Sequence, residues 1–278
     1  MNPVPRTLDG SYRAQAIPFG SARFWSWQFA YPKVRAPLLG IYALLAEWNA
    51  LMDPATEYSV ACLKLAWWQE EVRRLAAGTP VHPIGIYLFS LPGAAQVDFA
   101  CLNESIDAAL AEVSGAPLER SSELAPHAQA LRAQPMAMAS RLAGGTQDNN
   151  ALAECTQLLA LADYLSRSIS GYRREASFGR VPFAVEELIA NGIENADLTA
   201  DPPPARLEIY LQHLRERALH TFDEVSRALP QPLRAAQRHL LVLAALGRRG
   251  LVQHIAARQP RGLQDMLLAW KTARRASS

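Results

Sequence analysis

Apolar residues recur every three to four positions along most of this chain, and that spacing constrains the fold more than any other feature. One stretch places five residues on a single helical face: Leu38, Tyr42, Leu45, Asn49 and Met52. Alanine and leucine together make up close to a third of the residues, which favours helix. No persuasive strand alternation interrupts the pattern. The sequence therefore predicts an all-α fold.

Proline and glycine divide the chain into helices. The predicted helices cover about 38–53, 56–77, 98–113, 120–143, 148–172, 184–190, 205–229, 231–258 and 262–275. Residues 1–18 contain several prolines and are predicted to be irregular, and residues 173–183 to form a loop. The breaks are too short for domain linkers, so we expect one helical domain over residues 19–278.

Composition excludes several classes of protein. The 28 basic and 26 acidic residues leave a net charge of +2, which is not typical of a nucleic-acid-binding protein. Three widely spaced cysteines predict free thiols in a reducing compartment. The first residues lack the apolar core of a secretory signal, and no stretch is long and apolar enough to span a membrane. We therefore expect a cytoplasmic protein.

The last predicted helix leaves contact with a membrane surface open. It is amphipathic and ends in a basic group, Lys271, Arg274 and Arg275. Such a tail is usually a solvated end, but beside Leu267 and Trp270 it could touch anionic lipid.

Two polar residues interrupt the apolar face of the helix over 38–53. Asn49 and Asp53 are four positions apart, about 40° from each other around a helix, at the edge of that face. An inward-facing polar group is costly unless it has a partner. Two interpretations remain open. Asn49 binds backbone while Asp53 caps the helix end, or both face a functional site.

The helix over 148–172 offers a second candidate wall. Leu161, Tyr164, Ser168, Gly171 and Glu175 fall roughly in line, and the small residues among them thin that face. They could line a cavity. The alternative, which we favour from the residues alone, is close helix packing or a helix end at Gly171.

Three further features have simple structural interpretations. Trp67 and Trp68 predict core and core edge, and His82 before Pro83 predicts turn chemistry. The group Glu70-Glu71 with Arg73-Arg74 predicts a solvated, ion-paired face.

Several segments together resemble the squalene/phytoene synthase family. They are SARFWSWQFAYPKVRAPLLGIYALL at 21–45, LKLAWWQEEVRRLAAGTPVHPI at 63–84, LADYLSRSISGYRREASFGRVPFAVEEL at 161–188 and LLAWKTARR at 267–275. Their order and spacing follow those of the family over most of residues 20–275. The resemblance implies an isoprenoid synthase fold, with helices around a large central apolar cavity.

The resemblance also implies a reaction, the head-to-head joining of two prenyl diphosphates. Magnesium ions held by two Asp-rich motifs on facing helices assist departure of the diphosphate in that family. Magnesium takes oxygen ligands, commonly one or two carboxylates together with phosphate oxygens.

This sequence departs from the family at both motifs. Laid residue by residue, the two aspartates of the first motif fall on Asn49 and Asp53. Those of the second fall on Gly171 and Glu175. Only Asp53 and Glu175 remain as candidate metal ligands, so we expect Mg²⁺ binding to be weak or absent. Candidate substrate-binding residues are Tyr42, Asn49, Tyr164, Arg167, Ser168, Gly171, Arg173 and Arg180.

Two hypotheses follow. In the first, the protein is a degenerate member that binds an isoprenoid or lipid, or acts in assembly with a protein partner, and has lost efficient condensation. Arginines such as Arg167, Arg173, Arg174 and Arg180 could then hold a phosphate directly. In the second, it is an active prenyltransferase of the squalene or phytoene type. Its reduced metal site would use Asp53, Glu175 and Glu47.

Overall fold

The computed structural model describes residues 7–144, 150–253 and 262–277. In these residues every regular element is a helix, and no strand is present. The helices are α1 Gly10–Ala16, α2 Ala22–Gln28, α3 Pro32–Leu51, α4 Tyr58–Ala76, α5 Pro83–Phe89, α6 Leu102–Ser114, α7 Ser121–Leu142, α8 Asn150–Ser177, α9 Val185–Ala190, α10 Ala205–Ala228, α11 Gln231–Val252 and α12 Leu263–Arg275. Short 3₁₀ turns cover Ala94–Gln96, Phe99–Cys101 and Asn195–Leu198. The predicted all-α fold is confirmed.

The long helix α8 organises the bundle. It packs against α7 on one side and against α10 and α11 on the other, and α3 packs against α7. Large side chains at the centre are almost inaccessible, among them Tyr42, Trp48, Met138 and Leu165. One apolar core therefore runs through the bundle and fixes how α3, α7 and α8 face each other. Within the described residues, no helix has both the length and the apolar character needed to cross a bilayer.

The prediction of an irregular segment over residues 1–18 was wrong for Gly10–Ala16, which form α1. The Asp9 carboxylate accepts a hydrogen bond from the backbone N–H of Ser11, a cap that starts the helix. Ala16 at its far end is fully buried. Seven residues are too few for a clear apolar period, which is why the sequence pattern missed this helix.

Helix α8 is longer than predicted, and the difference moves three charged residues onto it. The predicted end at 172 was wrong, because α8 continues to Ser177. The predicted loop over 173–183 is confirmed only for 178–183. The chain leaves the helix at Gly179, whose φ of 77° lies in the left-handed region that glycine adopts easily. Gly171 is therefore inside the helix and does not end it. The predictions at 145–149 and 254–258 fall outside the described residues.

A buried carboxylate joins α4 to the segment before α5. Glu70 pairs with Arg73 at 2.6 Å as predicted, but Glu71 is 1% exposed, so the prediction of a solvated face was wrong there. Glu71 Oε1 accepts hydrogen bonds from the backbone N–H groups of Val81 at 2.9 Å and His82 at 2.8 Å. We call this arrangement the loop anchor. A carboxylate that satisfies two backbone donors holds the turn against α4.

The aromatic residues beside the loop anchor confirm their predictions. Trp68 is 5% exposed and Trp67 40% exposed, as expected for core and core edge. His82 Nδ1 accepts the backbone N–H of Ile84, so this histidine caps α5. A Cβ atom at Gly85 would lie 2.7 Å from Glu71 Oε1, so the anchor requires glycine at that position.

Candidate functional site

The carboxylate of Asp163 on α8 lies between guanidinium groups from two helices. Arg132 Nε of α7 is 3.3 Å from Asp163 Oδ2, and Arg167 Nε, one turn along α8, donates to the same oxygen at 3.2 Å. Arg132 Nη2 also donates to Asn49 Oδ1 on α3 at 2.7 Å. Asn49 therefore binds an arginine side chain rather than backbone.

A third guanidinium, that of Arg23 on α2, acts on the same carboxylate. Burial alone would raise the pKa of Asp163, but the charges of Arg132, Arg167 and Arg23 outweigh it and the pKa is lowered. Burial and the nearby Arg167 charge lower the pKa of Arg132 to about 9. We call Arg23, Arg132 and Arg167, with Asp163 and Asn49, the arginine cluster. Three guanidinium groups therefore act on the Asp163 carboxylate, and Glu112 is a second anion close to Arg132 and Arg167.

The arginine cluster is buried but not closed. Arg132 is 6% exposed at its side chain, whereas 37% of the Asp163 side chain remains accessible. Arg167 Nη2 is buried and has no hydrogen-bond partner among the described residues. A buried donor without a partner is costly, so this atom is available to a ligand.

Tyr42 packs below the arginine cluster. Its side chain is 2% exposed, and its hydroxyl shares a hydrogen bond of 2.8 Å with Ser26 Oγ. Arg23 Cζ lies 5.7 Å from the centre of the Tyr42 ring. Burial raises the pKa of Tyr42, so the hydroxyl stays neutral and acts as a fixed dipole.

Asp53, just beyond the end of α3, is held by an arginine of α8. Arg174 donates from Nη2 to Oδ1 at 2.6 Å and from Nη1 to Oδ2 at 3.2 Å, a two-point contact. Asp53 Oδ1 also accepts the backbone N–H of Ala55 at 3.0 Å. The carboxylate therefore stabilises the turn after α3. The prediction that Asp53 caps a helix end was wrong, since the C-cap of α3 is Met52 and the N-cap of α4 is Glu57.

Arg180 also binds the end of α3. Its Nη1 donates to the carbonyl oxygen of Met52 at 2.9 Å and lies 3.9 Å from Glu175 Oε2. A cation at a helix C-terminus interacts favourably with the helix dipole. Guanidinium groups thus join α3 to α8 where the resemblance predicts facing carboxylates.

A pocket of about 100 Å³ opens between α6, α7 and α8. Five of the predicted site residues line it: Tyr164, Arg167, Ser168, Glu175 and Arg180. The wall also contains Glu112, His127 and small apolar residues. It holds several water molecules or a small anionic group, but not an isoprenoid chain. Because this wall is mixed in character, the large apolar cavity implied by the resemblance stays a prediction.

Glu112 and His127 form the acidic side of the pocket. His127 Nε2 and Glu112 Oε1 are 2.6 Å apart, and the rings of His127 and Tyr164 meet edge to face at 5.6 Å. Burial would raise the pKa of Glu112, but the hydrogen bond and charge of His127, together with Arg167, lower it overall. This carboxylate therefore stays ionised beside the pocket.

Glu175 has the opposite electrostatic environment. Burial raises the pKa of its carboxyl, and the charges of Glu112 and Asp53 add to the effect, while Arg180 and Arg174 oppose it. A carboxyl whose pKa is raised is a weaker ligand for a cation, because the cation must displace a proton more often.

These residues do not fit the magnesium site that the resemblance implies. Arg174 occupies both carboxylate oxygens of Asp53. Burial raises the pKa of Glu47, and the charge of Lys64 on α4 opposes that shift only in part. In the part of the chain that the structure describes, no three His, Cys, Asp or Glu side chains are grouped so as to hold a metal ion.

Five predicted residues do not line the pocket: Tyr42, Asn49 and Asp53, whose contacts are given above, and Arg173 and Gly171. Arg173 points to the other side of α8, where its Nε donates to the Tyr172 hydroxyl at 3.1 Å and Nη2 lies 3.6 Å from Asp201. Gly171 faces open space, because a Cβ there would meet no atom within 4 Å. It therefore does not serve the close packing that we favoured from the residues.

A larger cleft of about 490 Å³ lies between α8, α10 and α11. Its walls include Ser166, Ile169 and Tyr172 of α8 and Leu211 of α10. None of the predicted site residues lines it. The charged pocket and this cleft therefore use different faces of α8.

Sequence reasoning missed the residues that complete the charged site: Arg23, Glu112, His127, Arg132 and Asp163. One signal was present. Asp163 precedes Arg167 by four residues, a spacing that places both on one helical face. Arg132 also stands within the apolar stretch of α7. No sequence signal paired α6 with α7.

Comparison with known proteins places these features in a family context. A family model described as squalene/phytoene synthase matches residues 19–274. A dehydrosqualene synthase crystallised in complex with a ligand aligns with a TM-score of 0.70 and 12% identity, covering 91% of each chain. The squalene synthase HpnC from Alicyclobacillus acidocaldarius aligns with a TM-score of 0.68 and 18% identity, covering 82% of this chain and 86% of that one. Curated proteins give no significant match.

Proposed function

The chain belongs to the squalene/phytoene synthase family, and we propose that it binds a prenyl diphosphate or related isoprenoid lipid through arginines rather than through magnesium ions. In this proposal, efficient magnesium-dependent condensation has been lost. The anionic head of the ligand lies in the pocket between α6, α7 and α8, close to the arginine cluster.

The arginine cluster is the observation that supports this proposal most. Guanidinium groups bind phosphate oxygens through two parallel N–H donors, which fixes the orientation of the phosphate as well as its charge. Arg167 presents a buried Nη2 atom with no hydrogen-bond partner among the described residues and lines the pocket. A diphosphate oxygen would satisfy this donor.

The loss of condensation follows from the remaining carboxylates. Departure of a diphosphate develops negative charge, and metal ions stabilise that charge by several kcal/mol. Each loss of about 1.4 kcal/mol slows a reaction tenfold, so a site without the metal cluster is slower by orders of magnitude. Asp53 and Glu175 are each engaged by arginines, which supports a site adapted to hold an anion rather than a cation.

Binding is tested by calorimetry with farnesyl thiolodiphosphate, an analogue that resists ionisation. We expect the Arg167→Gln variant to bind about 10- to 100-fold more weakly, because a charge-assisted hydrogen bond is lost. Arg173→Gln is the matched control, since it removes an arginine of the same helix that points to the other side. Equal weakening in both variants, or none in either, would contradict the proposed site.

Turnover is tested separately, by incubating the protein with farnesyl or geranylgeranyl diphosphate and Mg²⁺. We expect no sustained release of diphosphate. Steady multiple turnover with a squalene- or phytoene-type product would favour the active prenyltransferase instead. In that case Asp53→Ala should abolish activity, whereas our proposal expects this variant to bind the analogue like the wild type.

A further inference from the structure

Helix α12 is held in a fixed orientation against α11. One of its faces is buried, with Ala269 fully inaccessible, Ala273 6% exposed and Asp265 3% exposed. Arg249 of α11 reaches Asp265, with Nε 2.7 Å from Oδ1. Because apolar packing and an ion pair both hold this face, the direction of the opposite face is also determined.

The outward face of α12 is apolar where a surface helix is normally polar. Leu263 is 75% exposed, Leu267 47% and Trp270 43%. These positions are four and three residues apart, so they form one stripe along the helix. Helix α12 therefore has an apolar face toward the core and a second one away from it.

Basic residues continue and flank this apolar stripe. Lys271, Arg274 and Arg275 are exposed near the end of the helix, and Arg274 Cζ lies 5.4 Å from the Trp270 ring. The single acidic residue of α12, Asp265, is on the buried face. Among the residues of α12 itself, the outward face therefore combines apolar side chains with basic ones.

We propose that this face docks α12 onto an anionic lipid surface. Leucine and tryptophan side chains would enter the boundary between head groups and acyl chains while the basic end meets anionic head groups. An anionic lipid surface complements both the apolar stripe and the basic end of α12, whereas a second copy of this face would bring basic side chains together. The inference does not depend on what the pocket beside α8 binds.

The test is flotation of the full chain with vesicles of phosphatidylcholine alone or with 30% phosphatidylglycerol (about one lipid in three, a strongly anionic surface). We expect binding to the anionic vesicles and its loss at high salt. Replacing the basic end (Lys271→Gln, Arg274→Gln and Arg275→Gln together) should weaken binding on the order of 100-fold, since each basic residue contributes about fivefold.

A second variant tests the apolar stripe, with Leu263→Ser, Leu267→Ser and Trp270→Ser combined. It should lose binding, whereas Leu63→Ser, which removes an equally exposed leucine from α4, should not. The proposal is overturned if the wild type does not float with anionic vesicles, or if binding is the same on neutral vesicles. It is also overturned if the α12 variants instead dissociate a dimer in solution. If the apolar variant fails to fold, the salt dependence and the basic variant still decide.

Discussion

The loop anchor and the arginine cluster each hold a carboxylate, but with different partners. Glu71 is bound by backbone N–H groups of Val81 and His82, which the course of the chain fixes in place. Asp163 is bound by the side chains of Arg132 and Arg167, which are long and rotatable.

This difference in partners separates a carboxylate that stabilises the fold from one that belongs to the proposed ligand site. A backbone donor cannot turn to another acceptor without unfolding its loop, whereas a guanidinium can exchange one acceptor for another at small cost. We therefore expect variants of the loop anchor to lose stability and keep ligand binding. Variants of the arginine cluster should change ligand binding.

The largest expected effect is at the loop anchor. Glu71→Ala should lower the free energy of unfolding by about 4 kcal/mol, because two part-buried backbone N–H groups lose their shared acceptor, at about 1–3 kcal/mol each. Urea unfolding followed by circular dichroism measures this change. Glu70→Ala is the control and should cost less than about 1 kcal/mol, since its ion pair is partly exposed. If both variants lose a similar amount of unfolding free energy, the hydrogen bonds of the loop anchor do not make the stabilising contribution that we predict.

Asp163→Asn should cost about 3 kcal/mol, because it leaves Arg132 buried without an anionic partner. Arg132→Met should cost less, since Asp163 then keeps Arg167 and can reach solvent. Urea unfolding of the two variants provides the comparison. If Arg132→Met lowers the free energy of unfolding more than Asp163→Asn does, the arginine cluster mainly stabilises the fold, as the loop anchor does.

Two glycines, Gly85 beside the loop anchor and Gly171 on α8, allow a further comparison of stability. Gly85→Ala should lower the free energy of unfolding by about 2 kcal/mol, because its new Cβ meets Glu71 Oε1. The Cβ that Gly171→Ala adds would face open space. This variant should raise the free energy of unfolding by up to about 1 kcal/mol, because alanine has the higher helix propensity. Thermal unfolding of the two variants measures opposite shifts of the midpoint; a common direction would contradict the local geometry.

The smallest effect concerns acid stability. The folded-state pKa of Glu112 lies below its usual value of 4.5, so its contribution to stability is present above that pH and is lost as the pH falls through the lowered value. His127→Gln removes the main opposing partner and should reduce this acid-dependent loss by about 1 kcal/mol. Urea unfolding between pH 3 and 6 (a window about the carboxyl range) tests it. If the unfolding free energy depends on pH in the same way in His127→Gln and in the wild type, Glu112 and His127 are not coupled.

Much of the fold follows from the sequence because apolar spacing and the positions of proline and glycine are local signals. They predicted α4 and α7 closely and α3 except for its first six residues, and they placed Tyr164 and Ser168 on one helix face. Arg167 became a candidate only through the family resemblance. The pairing of Arg132 with Asp163 was not accessible, since it depends on how α7 and α8 rotate against each other. Glu71 was missed for a related reason. In sequence it resembles its neighbour Glu70, and only the packing of the following turn distinguishes them.

We propose that arginines bind the diphosphate at this site in place of metal ions. The most direct test is the dissociation constant of farnesyl thiolodiphosphate measured by calorimetry with excess EDTA and again with Mg²⁺. We predict that the two values agree within about threefold, a difference below 1 kcal/mol. Binding about 100-fold tighter with Mg²⁺, the scale of a bound metal cluster, would contradict the claim.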